Sequence, residues 1–224
     1  MAVAAPVRSL PNHSLGLSTG ALEAARGRWD SLVARAIETS PYTVELSALS
    51  ETELPGLIEY LVENPTLPFR FLSVHGPSKQ RRLSEGALVQ RLTALPPMVT
   101  VVVLHPNEIE EPEAFAGFGS RLALENMDAR KAFGRDADEL ETLFDELPAA
   151  RLCLDVAHAA SVDPTMTGAH ALLDRFGSRL SHVHLSSLDD DGHHIALRQE
   201  DERRYAPVLR RCRDVPWILE ALPK

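Results

Sequence analysis

The chain has 224 residues, 44% of them hydrophobic, and a formal net charge of −9. This length supports one large core and is short for two domains, so we expect a single domain over residues 1–224, and the acidic balance argues against nucleic acid as a partner. Two cysteines are too few for a disulfide scaffold, and the absence of a signal peptide or a long apolar run predicts a cytoplasmic protein with no membrane partner.

Short apolar or β-branched runs recur along the chain, and a helical stretch separates most of them. Eight such runs are the number that a closed parallel barrel requires. The runs are continuously apolar, as expected of parallel strands covered by helices. The α/β pattern therefore predicts a (β/α)8 TIM barrel. Its predicted strands are His13–Leu17, Tyr42–Leu46, Phe69–Val74, Val99–Leu104, Arg121–Leu124, Arg151–Leu154, Leu180–His184 and Trp217–Leu219.

The segments between these strands carry helix signals. Ser50 and Glu53 form a capping box, and Asp136 is placed to cap the helix after the fifth strand. The segment Pro112–Gly119 leaves room for only a turn or two. The predicted helices are Ala21–Thr39, Leu54–Val62, Ser84–Ala94, Ala137–Leu147, Thr165–Phe176 and Glu200–Arg213.

A complete barrel of this type typically needs about 250 residues, so this one must be compact. Only four residues follow Glu220 at the end of the eighth strand. We therefore expect no helix after that strand and an apolar flank that is covered by the N-terminal segment or by a partner subunit. A homo-oligomer is one expectation from this gap.

Ligand-type side chains stand at or just beyond the ends of the third to eighth predicted strands. A barrel brings these ends together on one face, where its active sites lie. Imidazole nitrogens and carboxylates suit zinc, manganese or iron, so the pattern predicts a metal site. The nine candidate ligands are His75, His105, Glu125, Asp155, His158, His184, Asp191, His193 and Glu220. His13, His170 and His194 fall outside the pattern, and His182 is expected to lie deeper, beside the ligands or in the core.

Basic residues occur in the loops on the same face. In an acidic protein, cationic loops beside a metal site favour a small anionic or phosphorylated substrate. An equal alternative is that these are ordinary solvated loop charges. The candidate substrate-binding residues are Lys79, Arg81, Arg130, Lys131 and Arg198, with Arg82 and Arg135 in the same loops.

These residues resemble the site of the xylose isomerase-like barrel superfamily, which includes sugar isomerases, epimerases and the endonuclease IV type of AP endonuclease. The resemblance runs from about Tyr42 to the C-terminus. In the simpler isomerases one metal is held by two Glu, one Asp and one His, and Glu125, Asp155, His184 and Glu220 match that set.

The other five candidates match the extended set of endonuclease IV-like enzymes, which hold three metals. That resemblance implies up to three divalent ions, with zinc expected and manganese or iron as alternatives. His75, His105 and Glu125 would hold the first metal, and Glu125 would bridge to the second. His158, Asp191 and His193 would hold the third.

The sequence departs from endonuclease IV after the first ligand. Those enzymes carry His-Ala-Pro-Tyr followed by an apolar residue, and these side chains wedge into DNA. Here the run is His75-Gly76-Pro77-Ser78-Lys79. Without the aromatic wedge, extrusion of a nucleotide loses its support, so a small substrate is favoured over nucleic acid.

Four functions follow as hypotheses. The leading one is metal-dependent hydrolysis of a phosphoester, in which two or three ions activate water and clamp the phosphoryl oxygens. The second is a sugar or keto-acid isomerase or epimerase, in which Glu125 and Glu220 are the catalytic residues and transfer protons. The third is a multinuclear iron oxidase, which the superfamily architecture also resembles. The fourth is a barrel without catalysis that serves as a partner subunit.

Overall fold

Eight parallel strands close into a barrel. The structure is a computed structural model that describes residues 13, 15–79 and 81–222. The strands pair in the order β1-β8-β7-β6-β5-β4-β3-β2, which closes the sheet and confirms the predicted (β/α)8 class. They are β1 (Leu15–Ser18), β2 (Thr43–Ser47), β3 (Phe71–His75), β4 (Val101–Leu104), β5 (Leu122–Glu125), β6 (Arg151–Asp155), β7 (Leu180–Leu185) and β8 (Trp217–Leu219).

Seven α-helices of the described residues lie between the strands. Their buried faces join the outward residues of the strands in one large apolar cluster that surrounds the barrel. Between β4 and β5 the chain makes only 3₁₀ turns, Pro106–Glu108 and Pro112–Arg121, as the short segment predicted. The helices are α1 (Trp29–Thr39), α2 (Leu54–Glu63), α3 (Glu85–Thr93), α4 (Ala137–Glu146), α5 (Val156–Val162), α6 (Thr167–Phe176) and α7 (Gln199–Leu209).

The helix starts agree in part with the capping signals. Asp136 caps α4, since its carboxylate accepts a hydrogen bond from the backbone N–H of Glu139 at 2.9 Å. At α2 only one of the two reciprocal hydrogen bonds of the expected capping box forms. Glu53 accepts from the backbone N–H of Ser50 at 3.0 Å, but its carboxylate also pairs with Arg26. The predicted helix Ala21–Thr39 was too long, because Gly27 takes a positive φ of 76° and α1 begins only at Trp29.

The side chains inside the barrel form an apolar layer and, closer to the C-terminal strand ends, a polar layer. Val101, Val103, Ala123 and Cys153 form a small buried cluster inside the ring, separate from the outer core. Barrel interiors are usually filled by branched apolar side chains. Here a polar layer that includes Glu45 replaces them closer to the C-terminal strand ends.

One irregularity interrupts the pairing of β6 with β7. Leu152 pairs with Leu180, but the next residue, Cys153, pairs with His182, so Ser181 has no counterpart on β6. Beyond this shift the register continues regularly, and Asp155 lies beside His184. The two ligand-type residues therefore point to the same side of the sheet.

Within the described residues, which end at Leu222, no helix follows β8. The predicted strand His13–Leu17 begins later, at Leu15, and its residue Ser14 lies outside the described residues. So does the segment 1–12, which we expected to cover the flank. No described helix has the length and apolar character needed to cross a membrane. The cytoplasmic location and the homo-oligomer stay predictions.

Candidate metal centre at the strand ends

The carboxylate of Glu125, at the end of β5, lies at the centre of the site. Its Oε2 is 3.1 Å from Nε2 of His75 and 3.4 Å from Nε2 of His105. Its Oε1 is 3.3 Å from Nδ1 of both His158 and His184. These four histidines end or follow four other strands, so the barrel brings together side chains that are far apart in the sequence.

One group of four candidate ligands contains two carboxylates besides Glu125. Glu125, Asp155, His184 and Glu220 each offer a ligand atom, and these atoms all lie within 4.8 Å of one another. Asp155 uses its Oδ1 to cap α5 through the N–H of His158 at 2.8 Å, which leaves its Oδ2 buried without a hydrogen bond. Oε2 of Glu220 is also buried without one, and its nearest imidazole nitrogen is Nδ1 of His194 at 3.1 Å. Buried carboxylate oxygens without a hydrogen bond are costly, so this donor set fits a divalent cation.

The pKa values of the two glutamates in this group are shifted in opposite directions. Burial alone raises the pKa of Glu125, but the charge of His184 and hydrogen bonds from the surrounding histidines outweigh it and hold this pKa well below its ordinary value. Burial raises the pKa of Glu220 well above its ordinary value, and the nearby charges of Asp155 and Glu125 raise it further against the opposing effect of His184. One carboxylate favours the ionised form and the other the protonated form.

Two further groups flank the central one and share residues with it. His75 and His105 join Glu125 on one side, and their role as ligands of a first metal, which the resemblance implies, stays a prediction. Asp155 and His158 join His194 on the other side. Burial lowers the pKa of His194 to about 4, so its imidazole is neutral and available as a ligand at neutral pH. Sequence reasoning missed this residue.

The third predicted ligand set, His158 with Asp191 and His193, is not brought together. Asp191 and His193 lie with Asp189 in an exposed turn, where Asp189 Oδ1 accepts from both of their backbone N–H groups. The turn connects the two short strands of a hairpin, in which Ser187–Leu188 pairs with His194–Ile195. Because side chains alternate along a strand, the hairpin directs His194 inward and leaves His193 exposed.

Most of the predicted substrate-binding cations have partners within the protein. Arg81 donates to the backbone carbonyl of Glu108 and lies 3.7 Å from Glu85. Arg130 pairs with Asp128 at 2.9 Å and also donates to the carbonyl of Asp191 at 2.5 Å. Arg198 donates to the carbonyl of Leu188 at 3.3 Å. Lys131 is partly exposed, and Lys79 is exposed.

A cleft of about 210 Å³ lies on the same face of the barrel as the site. Its lining comes from the loops after β1, β2 and β3 and includes Lys79, Arg26 and Glu53, with none of the candidate ligands. Lys79 is therefore the predicted substrate-binding residue that the structure places in a cleft.

Below the ligands lies a buried carboxylate that sequence reasoning also missed. Glu45, in the middle of β2, is fully buried, and its Oε2 accepts from Ser73 Oγ at 3.0 Å and lies 3.1 Å from Nε2 of His184. Burial alone raises the pKa of Glu45, but the charge of His184 and hydrogen bonds from His182 and His184 bring it well below its ordinary value. The available signal was alternation, since Thr43, Glu45 and Ser47 occupy every second position of a wholly buried strand.

Comparison with solved structures supports the TIM-barrel fold. No protein-family model matches the sequence, and no curated protein matches it. Solved structures do match the chain along nearly its full length, at sequence identities low enough that the likeness shows the fold alone. The (β/α)8 barrel is therefore shared with these structures, whereas the resemblance to the trinuclear endonuclease IV type stays a prediction.

Three of these structures illustrate the likeness. D-psicose 3-epimerase with D-tagatose from Clostridium cellulolyticum H10 has a TM-score of 0.56 and 14% identity, covering 94% of this chain and 86% of its own. The 3-keto-D-glucoside 4-epimerase YcjR from E. coli has a TM-score of 0.56 and 12% identity, covering 95% and 93%. The IolI protein with a binding zinc atom has a TM-score of 0.53 and 13% identity, covering 93% and 88%.

Proposed function

We propose that this chain is a metal-dependent isomerase or epimerase of a small sugar. The observation that carries the proposal is the four-residue group in which Glu125 and Glu220 approach the same nitrogen of His184, each with its Oε1 at 3.3 Å. The structural neighbours support it, since two of those named above are sugar epimerases by title. The leading sequence hypothesis, phosphoester hydrolysis, receives no such support.

The two glutamates would divide the proton transfer between them. Glu125 would take a proton from a carbon next to the sugar carbonyl, and Glu220 would deliver one from its acid form. Return of a proton to the opposite face of the same carbon gives an epimer, and its return to the neighbouring carbon gives an isomer. Glu125, Asp155 and His184 would hold one divalent ion, with Glu220 as a further ligand when its carboxylate is ionised. When bound, the ion polarises the carbonyl and offsets the negative charge that develops.

The surrounding protein would keep this chemistry separate from bulk water. Glu125 is 1% exposed and Glu220 is 12% exposed, so Glu220 lies on the open side. The cleft lined by Lys79 would receive the part of the sugar that does not react. Whether that part carries a phosphate stays a prediction, because the described residues place only Lys79, among the candidate cations, in the cleft.

Deuterium exchange tests the proposal without knowledge of the natural substrate. The protein is loaded with zinc or manganese and incubated in ²H₂O with a panel of ketohexoses and ketopentoses. Deuterium should appear at a carbon next to the carbonyl of at least one sugar. Glu125→Gln and Glu220→Gln should each slow its incorporation by about 10²–10⁴-fold, the usual contribution of a general acid or base.

Glu113 is an exposed carboxylate on the 3₁₀ turn before β5, and Glu113→Gln is the matched control. This variant should incorporate deuterium into the sugar at the wild-type rate. Absence of exchange with every sugar, or equal exchange in the wild-type protein and Glu220→Gln, would overturn the proposal.

One observation keeps phosphoester hydrolysis as the second candidate. The flanking groups share Glu125 and Asp155 with the central group, so ions held in all three would be adjacent, as two-metal hydrolysis requires. Elemental analysis of the purified protein separates the candidates. Three zinc or manganese ions per chain with release of p-nitrophenol from bis(p-nitrophenyl) phosphate would favour hydrolysis, and a single ion would favour isomerisation. Iron with oxygen uptake would favour the oxidase hypothesis.

A further inference from the structure

His184 lies between two sets of carboxylates, one on each side of its ring. Its Nδ1 faces the rim of the barrel, 3.3 Å from the Oε1 atoms of both Glu125 and Glu220. Its Nε2 faces the interior, 3.1 Å from Oε2 of Glu45. The ring is fully buried, so neither nitrogen is exposed to bulk solvent.

A histidine that binds a metal through one nitrogen must carry its proton on the other. The group that accepts this proton fixes the tautomer and the orientation of the ring, and raises its basicity as a ligand. In this site the metal-facing nitrogen would be Nδ1, because it is the one that shares space with Glu125 and Glu220. Nε2 must then donate, and the acceptor at hydrogen-bonding distance is Glu45.

The surroundings of Glu45 suit this task. A buried carboxylate is costly unless its oxygens accept hydrogen bonds. Ser73 donates to the same Oε2 at 3.0 Å, and Nε2 of His182 lies 3.4 Å from it. Oε1 of Glu45 has no hydrogen-bond partner. A layer of apolar side chains would fill the barrel at lower cost, so packing alone does not account for a carboxylate at this position.

We propose that Glu45 is a positioning residue that holds His184 as the Nε2–H tautomer, with Nδ1 directed at the metal. It would act through His184 and would not touch the substrate. The inference rests on the metal site of the proposed function and adds to it a residue from the second strand, which bears none of the predicted ligands.

The test compares Glu45→Gln with Ser73→Ala. Glutamine keeps the size of the side chain and removes its charge, whereas Ser73→Ala perturbs the same buried layer without changing the carboxylate. Zinc affinity is measured by competition with a chromophoric chelator. It should fall by about 10–100-fold in Glu45→Gln, the usual effect of losing such a partner, and stay near wild type in Ser73→Ala. Equal affinities in Glu45→Gln and the wild-type protein would overturn the proposal.

Nitrogen-15 NMR of the imidazoles supplies a readout that does not depend on activity. In the zinc-loaded wild-type protein, His184 should show a protonated, slowly exchanging Nε2 and a metal-shifted Nδ1, and Glu45→Gln should accelerate the Nε2–H exchange. Zinc bound to Nε2, within the group of Cys153, His182 and His184, would contradict the proposal.

Failure of the proposed function would give a different result. If the wild-type protein bound no zinc, the metal site itself would be wrong. The Nε2–H of His184 in the metal-free protein would still test the role of Glu45, because the proposal requires this nitrogen to carry a proton and donate it to Glu45. Exchange as fast in the wild-type protein as in Glu45→Gln would overturn the inference in either case. Circular dichroism of both variants checks that they are folded.

Discussion

Individual carboxylates in this barrel are buried only where a donor or a cation site compensates them. Glu125 lies among four imidazoles, and Glu45 has Ser73 and two histidines. Asp128, in the loop after β5, is 3% exposed and pairs with Arg130. Burying an isolated charge would cost several kcal/mol, so each of these partners is needed for the fold.

Asp128 allows a prediction about stability and pH. Burial raises its pKa, but hydrogen bonds from Arg130 and the charge of His158 outweigh this effect and bring the pKa from 3.8 to about 2. A depressed pKa stabilises the folded state above the unfolded value, and the stabilisation is lost as pH falls through the folded value. The difference in unfolding free energy between wild type and Asp128→Asn should be about 2 kcal/mol at neutral pH and should shrink between pH 4 and pH 2.

Urea denaturation at several pH values measures this difference. Asp138→Asn, which changes an exposed aspartate on α4, is the control and should give a smaller difference at neutral pH. A difference between wild type and Asp128→Asn that is the same at pH 2 and pH 7 would contradict the assignment.

Some site residues were predictable because chemistry and position coincided. His75, Glu125, Asp155 and Glu220 lie where an apolar run ends, and strand ends of a parallel barrel meet on one face. Glu45 was missed because it lies within a strand, one layer below those ends. His194 was missed because its direction depends on a hairpin, and loop geometry is set by local contacts that periodicity does not reveal.

At the scale of elements, the hairpin after β7 determines which histidine reaches the site. Its turn contains Gly192 with a φ of 75°, and a Cβ there would lie 2.4 Å from Cζ of Arg130. The guanidinium of Arg130 therefore packs directly on the turn while it donates to the carbonyl of Asp191. We infer that Arg130 latches the hairpin to the loop after β5, whereas its contact with a substrate stays a prediction.

Replacement of Arg130 by Gln should loosen that latch. Because the guanidinium connects the turn to Asp128, its loss should raise the hydrogen-exchange rate of the amides in 187–195 severalfold and leave the barrel strands unchanged. Mass spectrometry of peptides from this region measures the effect.

Arg135→Gln is the matched control for the latch, since Arg135 lies in the same loop but pairs with Glu139 of α4. An unchanged hairpin in Arg130→Gln, or an equal change in Arg135→Gln, would show that Arg130 does not hold the turn.

For the whole molecule, the buried acids make folding and metal binding interdependent. Glu45, Glu125 and Asp155 are buried, and Glu220 is partly buried beside them, in a closed barrel of net charge −9. A cation that binds only the folded state stabilises it by mass action, by about 2.7 kcal/mol at a free concentration 100 times the Kd. Zinc should therefore raise the melting temperature of the metal-free protein, and a chelator should reverse the increase.

Differential scanning calorimetry checks this prediction, with His184→Ala as the variant that removes a ligand. Its melting temperature should respond little to zinc, whereas Glu113→Gln should respond as the wild-type protein does. An equal response of His184→Ala and the wild-type protein would indicate that zinc stabilises the fold at another site.

The barrel architecture could be predicted from the periodicity of the sequence, whereas the register of its strand pairs could not. The unpaired Ser181 on β7 shows what that alignment controls. Since a slip of one residue exchanges the two faces of a strand, regular pairing from Leu180 onward, with Ser181 opposite Cys153, would place Val183 beside Asp155 and turn both histidines of β7 outward. The site therefore depends on this irregularity in the pairing as well as on the identity of its ligands, because a regular ladder would abolish the site while leaving every ligand in the sequence.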